Sequence, residues 1–240
     1  MKQGDKMTDI YYEVVGEGFP IVLLHGNGEN HHIFDETVEV LSKNYQCVLI
    51  DSRYHGQSIK SGELSYQQMS HDVMNVINEL HIDAYDLIGF SDGGIVSLLL
   101  SMKDTRLKHM VIIGANTKPS MLKPIYRMGM YIQLACLLIF CLYNKKARRT
   151  FKLTKLMLKE PQIYYEDLRE ILIPTLVLAG EFDMIKLEDT KMIGESLPYS
   201  VVKIIKQGNH FLLRDSFEKT IHEIILFLQA SHQEDIYEEL

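Results

Sequence analysis

A hydroxyl, an imidazole and a carboxylate stand at three places in this chain where an apolar run stops. Ser91 follows the run 85–90 inside Gly89-Phe90-Ser91-Asp92-Gly93; Asp183 ends Gly180-Glu181-Phe182-Asp183 after the run 175–179. His210 ends Gln207-Gly208-Asn209-His210 after the run 201–206. A serine hydroxyl becomes a nucleophile when a base takes its proton, and the base acts best when a carboxylate holds its ring in one tautomer. The chemistry on offer is acyl transfer through a covalent serine intermediate. Each residue also has a plain structural reading: Asp183 could cap a helix over 187–193, and His210 could be a satisfied turn histidine.

The glycines around Ser91 narrow the choice. A sharp strand-to-helix turn strains its central residue and presses together the residues two before and two after, so only small side chains fit there. Gly89 and Gly93 meet that demand around Ser91. Were Asp92 the central residue, Phe90 would occupy a flank and clash. The helix that follows points its N-terminus at the site, where negative charge would develop. Acyl transfer also needs two backbone N–H donors for the oxyanion. The Asp92 amide, next to the nucleophile, supplies one, and the Asn27 amide in the loop His25-Gly26-Asn27-Gly28 is the candidate for the other. A glycine turn with no chemical role is the competing account of that loop.

The elements that must position these groups alternate. Runs rich in β-branched residues at 10–15, 21–24, 46–51, 85–90, 109–114, 175–179 and 201–206 read as strands, several apolar at nearly every position, as in a parallel sheet buried on both faces. Between them, 65–80 carries an apolar stripe of Met69, Val73, Val76, Ile77 and Leu80 behind a Ser65/Gln68 capping box. The run after Gly94 reads as a buried helix, and a second capping box is expected at Asp215/Glu218. Strands alternating with helices predict right-handed βαβ units in a doubly wound α/β sheet, with ligands bound beyond the carboxyl ends of its strands. The rhythm breaks once: 115–173 holds no convincing strand and is too apolar for a floppy linker, which predicts a helical insertion.

Taken together, HGNG at 25–28, DSRYHGQS at 51–58, GFSDGG at 89–94, GEFD at 180–183 and GNH at 208–210 resemble the alpha/beta-hydrolase fold family over nearly the whole chain. The resemblance implies a Ser91–His210–Asp183 triad, an oxyanion hole from the Asn27 and Asp92 amides, and supporting roles for His25, Gly26, Gly89 and Gly93. It implies a core of 1–116 and 171–240 with a helical cap over 117–170 that shapes the pocket. Asp51-Ser52-Arg53 looks like a structural turn in which Arg53 pairs with a carboxylate. Tyr54 departs from the family, where glycine is common. The acid that some relatives carry after an earlier strand is absent from Gly114-Ala115-Asn116, which leaves Asp183. The implied activity is hydrolysis of a small-to-medium carboxylic ester, with C–C bond hydrolysis, cofactor-free haloperoxidation or a lyase step open to the same residues, and a non-catalytic binding module as the remaining alternative. No cofactor is expected.

Composition bounds the rest. The 240 residues are 46% hydrophobic and 24% charged, ordinary for a folded soluble chain, and the formal charge of −7 gives no reason to expect nucleic acid as a partner. Three cysteines without C-x-x-C spacing argue against a disulfide framework, and the first residues lack a secretory signal's apolar core, so a cytoplasmic location is expected. His31, His32 and His55 lie near the motif loops without metal-ligand spacing, and no metal is expected. The 16-residue apolar stretch 128–143, interrupted by Gly129 and Gln133, is shorter than the roughly 20 residues of a membrane span and reads as a buried or interfacial helix. Between 116 and 159 there are ten Lys or Arg and no acid, leaving 15 basic against 32 acidic residues elsewhere, a formal −17. Such a basic cap could draw in an anionic substrate, touch an anionic lipid surface weakly, or simply be a solvated face. The expected partner is a small acyl substrate; oligomeric state is left open.

Overall fold

In the computed structural model, residues 9–238 are described, with side chains for 9–232. Seven strands, β1 (Tyr12–Val15), β2 (Phe19–Leu24), β3 (Tyr45–Ile50), β4 (Tyr85–Phe90), β5 (Leu107–Ile113), β6 (Thr175–Gly180) and β7 (Ser200–Ile205), form one sheet in the order β1-β3-β2-β4-β5-β6-β7. All neighbours are parallel except β1, which runs antiparallel to β3. Every expected strand is present, with each end within two residues of expectation. The helices are α1 (Asp35–Leu41), α2 (Tyr66–Glu79), α3 (Asp92–Ser101), α4 (Pro124–Phe140), α5 (Lys145–Lys159), α6 (Tyr165–Leu168), α7 (Leu187–Ser196), α8 (Leu212–Asp215) and α9 (Phe217–Glu238).

Side chains of β4 alternate between two cores: Leu87 faces one side of the sheet, Ile88 and Phe90 the other. The first core is completed by Met69 and Val73 of α2, Ile95 and Leu98 of α3, and Ile193 of α7; the second by Leu41 of α1 and Ile221, Ile224 and Leu228 of α9. Each such buried aliphatic side chain contributes roughly 1.5–3 kcal/mol, so the sheet is clamped from both faces. Ser65 caps α2 as its sequence suggests, accepting a hydrogen bond from the Gln68 amide. The second capping box does not form: Asp215 is the last residue of α8 and accepts from Asn209 and Arg214, while the Thr220 amide bonds to the Ser216 carbonyl.

Strand order explains why distant motifs meet. The chain leaves β2 for β3 on one side and returns to β4 on the other, so the topological switch lies between β2 and β4, where Leu24 stands opposite Gly89. The loops after these two strands therefore open onto one crevice. Between β5 and β6 the insertion carries α4, α5 and α6. Leu153 and Leu156 of α5 are buried, and Leu156 joins the core, whereas α4 packs on α5 with none of its own 17 residues buried. Among the described residues no helix is long and apolar enough to cross a membrane.

Candidate active site

Ser91 sits at the turn between β4 and α3 with φ 53° and ψ −114°, a conformation that costs a non-glycine residue roughly 1–3 kcal/mol. Its surroundings hold it there. The Ser91 amide donates to the Ile113 carbonyl (2.7 Å), Ser97 Oγ donates to the Gly93 carbonyl (2.7 Å), and a Cβ at Gly89 or Gly93 would collide with backbone, at Gly93 with the Leu24 carbonyl. The two small residues are required by close approach of β2, β4 and α3.

His210 follows β7 and faces Ser91: Nε2 lies 3.0 Å from Ser91 Oγ, and Nδ1 lies 2.8 Å from Asp183 Oδ1. Asp183 is fully buried after β6. Its Oδ1 also accepts from the Ile185 amide (2.8 Å), and its Oδ2 has no hydrogen-bond partner among the described residues. Asp183 does not cap α7, whose N-cap is Lys186. Gly114, at φ +63°, packs directly under this pair: a Cβ there would lie 2.8 Å from His210 Cε1 and 3.4 Å from Asp183 Oδ2.

The loop after β2 is braced by neutral histidines. His25 accepts from the Ser52 amide through Nε2 (3.0 Å) and donates from Nδ1 to the Gly26 carbonyl (2.7 Å); burial lowers its pKa to about 4. His55 accepts from the Gly28 amide (3.0 Å) and donates from Nδ1 to the Arg53 carbonyl (2.9 Å), and burial lowers its pKa to about 3. The Gly26 amide donates to Glu29 (3.1 Å), whose pKa burial raises to about 7 against that hydrogen bond. The Asn27 and Asp92 amides, in contrast, donate no hydrogen bond within the described residues. Their side chains are joined instead: Asn27 Nδ2 donates to Asp92 Oδ2 (2.8 Å), and the Tyr66 hydroxyl to Asp92 Oδ1 (2.9 Å). Burial raises the Asp92 pKa to about 6 in spite of both donors.

Other expectations resolve as positioning contacts. Arg53 forms a two-pronged pair with Asp72 of α2 (Nη2–Oδ1 2.7 Å). Tyr54 takes φ +65°, the left-handed conformation that glycine would hold more cheaply, and its hydroxyl donates to the Gly62 carbonyl (2.8 Å). Burial alone would raise the Asp51 pKa, but the Gln57 and His31 amides and the His31 ring outweigh it and hold the carboxylate below its ordinary range. The residues with metal-ligand composition lie elsewhere, at the opposite end of β4. Asp86 Oδ1 and Oδ2 stand 2.8 Å from His109 Nδ1 and from His232 Nε2 respectively. Those spacings are hydrogen-bond lengths, a carboxylate shared by two imidazoles.

Sequence reasoning passed over Tyr66, Glu29, Gly114 and the Asp86 cluster. Tyr66 and the cluster meet their partners only through tertiary packing, at sequence separations of 26 and up to 146. Gly114 did carry a signal, a glycine closing a strand beside two motif loops.

The family model described as alpha/beta hydrolase fold matches residues 20–135. The chain superposes with a TM-score of 0.80 on an alpha/beta hydrolase enzyme from a Medee basin deep-sea metagenome library, 22% identical, covering 93% of this chain and 95% of that one. The chain has the alpha/beta-hydrolase fold. An sn-1-specific diacylglycerol lipase of Danio rerio is 26% identical over 93% of this chain and 82% of its own length. A superfamily protein of Bacillus subtilis is 30% identical over 52% of this chain, a match spanning 48% of that relative, about half its length. Structural neighbours further include proteins named as an esterase, a meta-cleavage product hydrolase and a bromoperoxidase.

Proposed function

We propose that the protein is a serine hydrolase that cleaves a small-to-medium carboxylic ester or related acyl compound. The continuous chain from Ser91 Oγ through His210 to Asp183, at 3.0 and 2.8 Å, carries this reading. Asp183 accepts from Nδ1–H of His210 and leaves Nε2 to take the serine proton as Oγ attacks the carbonyl carbon. The imidazolium then gives that proton to the leaving alkoxide, the acyl group stays on Ser91, and water activated by His210 releases the acid. The Asn27 and Asp92 amides receive the oxyanion, the Asn27–Asp92 side-chain bond setting the loop against the turn. Donors already oriented before charge appears are worth roughly 3–4 kcal/mol each in such sites. The inserted helices act as a cap over the acyl pocket.

The test is steady-state hydrolysis of p-nitrophenyl esters from two to twelve carbons, alongside a thioester and a vinylogous diketone. The reading predicts preference for esters and a loss of roughly 10⁴- to 10⁶-fold in kcat for Ser91→Ala or His210→Ala. Turnover of the diketone alone, or ester turnover that survives Ser91→Ala, would contradict it.

A further inference from the structure

The tip of the α4–α5 hairpin is an apolar wedge with a cationic collar. Leu138, Ile139 and Phe140 at the end of α4 are 59%, 72% and 60% exposed, and Leu142 and Tyr143 in the turn are 70% and 91% exposed. Immediately beyond, Lys145, Lys146, Arg148, Arg149 and Lys152 line a cleft of about 570 Å³ together with Tyr54 and Lys60. No carboxylate lines the cleft, and none of these cations forms a salt bridge among the described residues. Lys152 instead rests 5.0 Å over the Tyr54 ring, and Arg148 donates to the carbonyls of Cys141 and Leu142. Arg149 buries its Nε with no hydrogen-bond partner among the described residues.

We propose that this tip is a docking site for an anionic lipid surface, with the apolar residues seated at the boundary of the acyl chains and the cleft holding headgroup phosphates. An interfacial segment buries its apolar face only roughly 5–10 Å deep and keeps its cations at the phosphates, which suits a turn flanked by exposed apolar residues and then by five cations on one helix. Charge favours this occupant over a second copy. A two-fold contact through the same face would set collar against collar, whereas the −17 borne outside 116–159 repels an anionic surface and leaves the hairpin to lead the approach. The docking does not depend on the catalytic reading.

The test is co-sedimentation of the full chain, and of Ser91→Ala, with vesicles of phosphatidylcholine alone or with 30% phosphatidylglycerol; light scattering gives the lipid-free mass. Both proteins are expected to bind the anionic vesicles and not the neutral ones, and to release as salt is raised. Arg149→Gln should weaken binding roughly fivefold, the effect of one surface cation. Leu142→Asp should abolish it while Tm stays unchanged. Equal binding to both vesicles, binding to neither, or a lipid-free dimer that Leu142→Asp dissociates would overturn the proposal.

Discussion

Helices α3 and α4 are made of similarly apolar residues and meet opposite environments. In α3, eight of ten residues are buried; in α4, none of seventeen is. An α-helix that is apolar around its whole circumference needs cover around its whole circumference. For α3 the cover comes from β2, β4 and β5 on one side and α2 on the other. For α4 it comes mainly from α5 among the described residues. The comparison separates two uses of hydrophobicity. In α3 it is spent within the fold, and the rigidity obtained holds Ser91 in a conformation that an isolated peptide would abandon. In α4 it stays on the surface, where it can act on something outside the chain.

A charge placed in each helix should break the comparison if it is wrong. The largest effect belongs to Leu98→Asp in α3: an unpaired carboxylate at a fully buried position should cost more than about 4 kcal/mol and leave little folded protein, read by thermal unfolding. Next comes Gly114→Ala at the rim that α3 helps to build. Its methyl group would lie within 2.8 Å of the His210 ring, and a displacement of about 1 Å should lower kcat/KM by about 100-fold with a smaller change in Tm. Asp92, at the start of α3, gives a pH signature. A carboxyl whose pKa rises from 3.8 to about 6 on folding binds its proton more readily when folded. Its favourable contribution is therefore complete below the unfolded pKa and is lost as pH rises through about 6. Asp92→Asn lacks this loss, so relative to the parent it should gain about 2 kcal/mol between pH 4 and pH 7 in denaturant unfolding. The smallest effect is Ile139→Asp in α4, expected within about 0.5 kcal/mol of the parent because the side chain is already in water.

The same contrast marks how far the sequence could be read. Strands and turns are local: β-branched runs, Ser65 with Gln68, and the glycines around Ser91 carry their instructions within a few residues. The order of Ser91, Asp183 and His210 at strand ends was legible for the same reason, since a parallel sheet brings carboxyl ends to one rim. Non-local partners were not. Composition gives no hint that Tyr66 reaches Asp92, that Asp86 is shared by histidines of β5 and α9, or that α4 lacks cover that α3 has. The Asp215/Glu218 box looked local but lost to α8, which claims Asp215 for its own end.

A fluorophosphonate probe, followed by intact-mass and peptide mass spectrometry, tests the central claim most directly, because it forms a stable adduct only with a serine activated at its own site. One adduct per chain on Ser91, absent from Ser91→Ala and strongly slowed in His210→Ala, is the predicted result. An adduct on another serine, or undiminished labelling of Ser91→Ala, would contradict it.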